Sequence, residues 1–119
     1  LTFSRRNNAA TDTSERTVTL EARLRRDAPF IRNASGRIAT TRATFIVEPV
    51  TGRIIETGLV VDDSAVTATL RTQYAHEPRL DVWVPVRFTE RYERGGEVTA
   101  VVTTFTNYRR FETCGRVLP

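Results

Sequence analysis

The chain has 119 residues, 39% hydrophobic and 27% charged, which is typical of one globular domain rather than of a disordered segment. Its basic residues are all arginine, and the excess lies early: residues 1–42 hold nine arginines against four acids, and residues 43–119 hold nine against ten. The longest apolar run is far shorter than the roughly 18 residues of a membrane helix, which excludes a helical membrane span. Since methionine is absent, we expect a processed chain or part of a longer one.

The first segment, residues 1–15, is polar and has no hydrophobic period, so it predicts a flexible N-terminal arm. From Arg16 onward apolar and polar residues alternate, which is the period of a β-strand with one solvated face. The predicted strands are 16–24, 43–48, 53–61, 65–75 and the two arms of a hairpin over 82–111. The turn sequences between them are Pro49–Gly52, Asp62–Ser64 and His76–Arg79, and Gly58 predicts a bulge or a close backbone approach.

No stretch of ten or more residues carries the apolar stripe of a helix, so the sequence predicts an all-β domain over residues 16–113. We expect a six- to seven-stranded antiparallel meander, followed by a C-terminal tail over 114–119. Strands of about ten residues joined by short turns are typical of a strongly curved sheet. The predicted architecture is therefore a half-barrel or an up-and-down barrel.

The hairpin over 82–111 is apolar on both sides. Strict alternation groups Phe88 with Val82, Val84, Val86 and Tyr92 and leaves Trp83, Pro85, Val101 and Phe105 on the other side. Two apolar sides indicate that this part of the sheet is covered twice, and large exposed apolar patches mark contact sites. We predict a partner-binding surface at Trp83, Val101, Phe105 and Tyr108. For an apolar ligand on the inner face the candidates are Phe45, Leu70, Tyr74 and Phe88.

Candidates for catalysis are sparse, and we expect no catalytic residue, no metal site and no cofactor. His76 is the sole histidine and Cys114 the sole cysteine, whereas a metal site needs three or four converging ligands. The adjacent acids Asp62 and Asp63 fall in a turn, where carboxylates are usually solvated. Residues 108–111 combine two arginines with two aromatics, as single-stranded nucleic-acid binders do, but acids balance the arginines of residues 43–119. We therefore expect no nucleic-acid partner.

Three segments, 30–57, 74–93 and 103–111, resemble the C-terminal β-domain of uncharacterised exported proteins of the acidobacterial type. The hairpin over 45–57 is also distantly similar to that of LolA/LolB-like lipoprotein carriers, although Phe45 stands where those have Trp. The resemblance implies a periplasmic or extracellular location, and for the carriers a half-barrel whose concave side holds acyl chains. The residues that carry it are Glu48, Pro49, Thr51, Gly52, Arg53, Trp83, Pro85, Asn107, Arg109, Arg110 and Phe111.

The sequence thus predicts a non-enzymatic exported binding module. It contacts a protein partner, or another copy of itself, through the apolar hairpin, or it holds an apolar or lipid ligand on the inner sheet face. The alternative is a structural or accessory subunit of a larger extracytoplasmic assembly. An enzyme would require His76, Cys114 or the Asp62–Asp63 pair to lie in a cleft with perturbed ionisation.

Overall fold

The structure, a computed structural model, describes the backbone of residues 2–7 and all of residues 17–23 and 34–117. These residues form no helix, and their strands lie in one antiparallel sheet whose spatial order is the chain order. The predicted all-β meander is therefore confirmed. The strands are β1 (Thr2–Asn7), β2 (Val18–Arg23), β3 (Thr40–Glu48), β4 (Arg53–Asp62), β5 (Val66–Glu77), β6 (Val82–Arg94) and β7 (Glu97–Thr104).

The sheet is open at both sides. Strand β1 pairs only with β2, and β7 pairs only with β6, so the two edges do not meet within the described residues. Of the two architectures expected, the closed up-and-down barrel is not formed. No helix in this part of the chain is long and apolar enough to cross a membrane.

The N-terminal segment differs from the predicted arm. Residues Thr2–Asn7 form β1 and pair with β2 over its whole length, from Thr2 opposite Arg23 to Asn7 opposite Val18. A polar strand at a sheet edge gains its order from backbone hydrogen bonds to its neighbour, and these leave no hydrophobic period in the sequence. The remainder of the predicted arm, residues 8–15, lies outside the described residues.

Side-chain carboxylates hold the two turns at the ends of β4. The Glu48 carboxylate accepts hydrogen bonds from the backbone amides of Val50 (2.8 Å) and Thr51 (2.9 Å), and also from the Thr51 hydroxyl. Gly52 closes this turn with a left-handed φ of 72°. Because these hydrogen bonds join residues that are close in sequence, the turn could be predicted from the sequence alone.

The turn between β4 and β5 uses the two adjacent acids in the same way. One oxygen of Asp63 accepts from the amides of Ala65 (2.9 Å) and Val66 (2.7 Å), and Asp62 accepts from the amide of Ser64 (2.9 Å). The predicted turn is confirmed, and both carboxylates accept hydrogen bonds from its backbone amides.

Two register shifts interrupt the ladders. Between β3 and β4, Ile46 opposes Glu56 but Val47 opposes Ile54, which leaves Ile55 as an extra residue. Between β5 and β6, Gln73 opposes Arg87 but Tyr74 opposes Pro85, which leaves Val86 as the extra residue. Each such β-bulge reverses the alternation of the strand that contains it, and strict counting through it misassigns every later side chain.

The sheet is a single layer. Every substantial contact between the described strands joins neighbours in the sheet. Among the described residues, the only buried apolar ones are Ala22 and Ala39, and no large side chain is fully buried. A layer of this kind normally buries one face against a second layer, which the described residues do not supply.

Candidate functional site

One side of the sheet, here called the apolar face, consists of the positions that lie on the same side as Phe88. The pairing register identifies the residues of every strand that lie on this side, because residues directly opposite each other project to the same face. Phe88 opposes Thr72, Thr72 opposes Thr57, and Thr57 opposes Phe45. The predicted ligand residues Phe45, Leu70, Tyr74 and Phe88 therefore share one face. Their neighbours on it include Val18, Leu20, Ala43, Val47, Leu59, Val61, Val66, Ala68 and Tyr92.

The bulge at Val86 brings Trp83 and Pro85 onto the same face. Trp83 opposes His76, and Pro85 opposes Tyr74, both of which alternate in step with Thr72 on the unbulged strand β5. Strict alternation placed Trp83 on the side opposite Phe88, and this assignment is wrong. The physical reason is the extra residue in β6, which inverts the side-chain direction of residues 82–85 relative to 87–94.

The remaining hairpin residues complete the face. Val101 opposes Glu90, which in turn opposes Leu70, and Phe105 continues the same alternation with its amide bonded to the Val86 carbonyl (3.0 Å). Trp83, Val101 and Phe105, predicted as an outer contact surface, thus lie beside the predicted ligand residues. One continuous face replaces the two that the sequence suggested.

Trp83 is tied into the sheet rather than free. Its indole nitrogen donates a 2.6 Å hydrogen bond to the carbonyl of Ile54, which lies next to the bulge in β4. The Arg53 guanidinium lies 5.3 Å from the centre of the indole ring, within the range of a cation–π contact. Trp83 therefore links β6 to the start of β4 across β5.

Tyr108 lies just beyond the sheet. Strand β7 ends at Thr104, earlier than the predicted end of the hairpin near residue 111, and Asn107 adopts a left-handed φ of 57°. The Tyr108 hydroxyl donates a hydrogen bond to the carbonyl of Pro85, and its ring is half-buried. Tyr108 thus anchors the segment after β7 against β6, next to the apolar face.

The apolar face is incompletely buried. Phe45, Leu70, Tyr74, Trp83 and Phe88 are all only half-buried. At the β7 side Val101 is 43% exposed and Phe105 is 39% exposed. Aromatic and aliphatic side chains on a sheet of this size normally lose most of their contact with water, so this face is one that the described residues do not cover.

One of the acidic groups on this face, Glu90, is satisfied by a tyrosine. Glu90 accepts a 2.8 Å hydrogen bond from the Tyr92 hydroxyl. This hydrogen bond, aided by burial, raises the pKa of Tyr92, so the phenol remains the donor at neutral pH. The pair keeps the carboxylate bound within the sheet.

The residues considered for catalysis or metal binding do not lie together in one site. His76 lies in β5 rather than in the predicted turn, and its Nε2 is 2.7 Å from Asp81 Oδ1 at the exposed end of the β5–β6 hairpin. Cys114 is exposed in the segment after β7, and Asp62 and Asp63 hold a turn. No group of three or more potential metal ligands occurs within residues 17–23 and 34–117.

The sequence did not reveal the contact between Arg53 and Trp83, nor that the predicted partner-binding and ligand-binding residues share one face. Arg53 and Trp83 lie 30 positions apart and belong to strands that are not neighbours, so no local pattern connects them. The only sequence signal for the bulge is Pro85, which has no amide to donate to a regular ladder and is tolerated at bulges and edges.

Comparison of the chain with protein-family models, with curated proteins and with solved structures finds no match in any of the three.

Proposed function

We propose that this chain is a non-catalytic binding module whose apolar face is covered by a protein partner or by a further copy of itself. The observation that supports this is the joining of Trp83, Val101 and Phe105 with Phe45, Leu70, Tyr74 and Phe88 on one half-exposed face. Such a face stabilises the sheet fully only when a second layer removes it from water.

The extent of the face favours a macromolecular occupant over a small ligand. It crosses the sheet from β2 to β7, and neighbouring strands lie about 4.8 Å apart, so it is broad. Small-molecule sites are concave and enclose most of the ligand, whereas this face is open along its whole width. Carriage of an acyl chain, as in the carriers that the hairpin over 45–57 resembles, is the second candidate. It is favoured by the apolar lining alone.

Export to the periplasm or the outside of the cell is part of the proposal and rests on the resemblance of residues 30–111 to exported bacterial proteins. A role as an accessory subunit of an extracytoplasmic assembly is compatible with the same face. In both cases the partner supplies the missing second layer.

Adjacent valines on β7 offer a matched test. Val101 lies on the apolar face and is 43% exposed, and Val102 lies on the opposite side and is 56% exposed. We expect Val101→Glu to abolish association with the covering protein, measured by sedimentation velocity of the chain isolated from its native source. Val102→Glu introduces the same charge at the next residue and should leave the association unchanged.

Two results would speak against this function. If the isolated chain sediments as a monomer without any bound protein, the face has no protein cover. If mass spectrometry instead finds an acyl lipid that is lost with Val101→Glu and kept with Val102→Glu, the second candidate replaces the first.

A further inference from the structure

The side of the sheet opposite the apolar face, here called the polar face, carries a shallow open depression of about 160 Å³ on the β5–β6 ladder. Four side chains line it: Arg71, Gln73, Arg87 and Thr89. All four carry hydrogen-bond donors, and none of them carries a negative charge. The depression is independent of the apolar face and of the function proposed for it.

The register fixes the arrangement of these four residues. Arg71 opposes Thr89, and Gln73 opposes Arg87, so they occupy two successive same-face rungs of one antiparallel ladder. The two arginines stand on the diagonal of this square, where Cα atoms lie about 7–8 Å apart, a separation that arginine side chains readily span. Two guanidinium groups and two neutral donors thus border the same small space.

Two backbone features shape the depression. The bulge at Val86 turns Arg87 to the polar face beside Gln73, and bulges commonly re-aim a side chain in this way. On the other flank Arg71 opposes Gly58 of β4, which presents no side chain. Because Gly58 has no side chain, the sheet surface beside Arg71 stays open. A Cβ at that position would lie 2.5 Å from the Thr44 hydroxyl.

The charges around the depression are unequal. Arg71 pairs with Glu56 at 3.1 Å, and the Gln73 amide donates to the same carboxylate at 3.4 Å. Arg87 makes no ion pair or hydrogen bond with any described residue, and its side chain is exposed. The polar face also holds Arg91, but that arginine is paired with Glu93. One positive charge at the depression is therefore uncompensated.

We infer that the depression binds a tetrahedral oxyanion, a phosphate or sulfate group. The Arg87 guanidinium holds two of its oxygens in a bidentate fork, which is the geometry that arginine offers and lysine does not. Arg71, whose Nε is paired with Glu56, donates from its terminal guanidinium N–H groups, and the Thr89 hydroxyl and Gln73 amide donate to the remaining oxygens. The group is either free or the head group of an anionic lipid, since both present the same chemistry.

The test is a titration of the folded chain with sodium phosphate and, separately, sodium sulfate at constant low ionic strength, followed by ¹H–¹⁵N spectra of the arginine Nε–H groups. We expect saturable shifts at Arg87 and Arg71. Because the site is open to water, we expect Arg87→Gln to weaken binding only about threefold to tenfold. Arg87→Lys should restore part of this loss, since it returns the charge without the fork.

Arg42→Gln is the matched control, because Arg42 is also exposed on the polar face, lies on β3, and has no ion pair with a described residue. It should leave the affinity unchanged. Equal weakening by Arg42→Gln and Arg87→Gln, or shifts that rise without saturation, would reduce the effect to general electrostatics and overturn the site.

Co-sedimentation with phosphatidylcholine vesicles that contain phosphatidic acid, sensitive to Arg87→Gln, would identify a lipid as the source. Binding of phosphate without such vesicle binding would identify a free phosphate or sulfate group.

Discussion

The two faces of this sheet meet their surroundings in opposite ways. On the polar face charged groups either find partners nearby, as Arg71 does with Glu56 and Arg91 with Glu93, or stay exposed to water, as Arg42 and Arg87 do. On the apolar face Phe45, Leu70 and Phe88 are only half-buried, and the described residues supply no second layer against them. Polar groups are satisfied by single, local bonds, whereas apolar groups need a whole opposing layer. A single sheet can therefore complete one of its faces alone but not the other.

The largest expected effect comes from removing an apolar side chain in the middle of the sheet. We expect Leu70→Ala to lower the free energy of unfolding by about 1–2 kcal/mol, less than the 2–5 kcal/mol of fully buried leucines, because Leu70 keeps part of its contact with water. Thr69→Ala, its neighbour on the polar face, should cost less than about 0.5 kcal/mol. Urea denaturation of both variants measures the difference.

Saturation of the chain with the partner proposed for the apolar face should enlarge the Leu70→Ala effect toward the fully buried range, since such a cover removes the side chain from water. Equal losses for Leu70→Ala and Thr69→Ala would mean that the two faces do not differ in burial.

The second effect probes close packing on the polar face. A methyl group at Gly58 would lie 2.5 Å from Thr44 Oγ1, so Gly58→Ala forces the threonine to move. We expect this overpacking to cost about 1–2 kcal/mol. In the background of Thr44→Ala, which removes the hydroxyl, the same change should cost much less, and a double-mutant cycle in urea measures the coupling. Strict additivity of the two changes would show that Thr44 is not the obstacle.

The sequence predicted most of the fold but not the arrangement of the candidate site. Strand existence followed from alternation, and the turns at Glu48–Gly52 and Asp62–Val66 followed from local carboxylate–amide bonds, which act within a few residues. The side on which Trp83 lies depends instead on the bulge at Val86, a property of the pairing between two strands. Likewise β1 pairs with β2 along its whole length, although its polar sequence gave no periodic signal. Information held in cross-strand register is not periodic along the chain, and periodicity does not reveal it.

A third, smaller effect separates the polar edge of Trp83 from its apolar ring. Trp83→Phe keeps an aromatic ring on the apolar face but removes the 2.6 Å bond to the Ile54 carbonyl and weakens the contact with Arg53. We expect a loss of about 1 kcal/mol in the free energy of unfolding, the net worth of one hydrogen bond. Tyr92→Phe, which removes an exposed hydroxyl bonded to Glu90, should lose less. A larger loss for Tyr92→Phe would contradict the role of Trp83 in linking β6 to the start of β4.

The smallest expected effect depends on pH and lies in the turn after β3. The hydrogen bond from the Thr51 hydroxyl, together with those from the Val50 and Thr51 amides, lowers the pKa of Glu48 from its ordinary value. A carboxyl whose pKa falls on folding stabilises the folded state above its unfolded pKa and loses that contribution as the pH falls through the folded pKa. We therefore expect Glu48→Gln to destabilise the chain slightly at pH 7, and the difference from wild type should shrink as the pH falls through the lowered folded pKa of Glu48. The urea midpoint between pH 7 and pH 3 measures this.

Glu112→Gln is the control for Glu48→Gln, because Glu112 is an exposed carboxylate outside the strands whose partner is Arg110 at 3.5 Å. Its urea midpoint should match that of wild type across the same range. A pH-independent loss for Glu48→Gln would mean that the amide fails to fit the turn geometrically. The carboxylate charge would then not be what holds the backbone amides. The contrast between polar groups, which find hydrogen-bond partners nearby, and apolar groups, which need an opposing layer, would need another explanation at this turn.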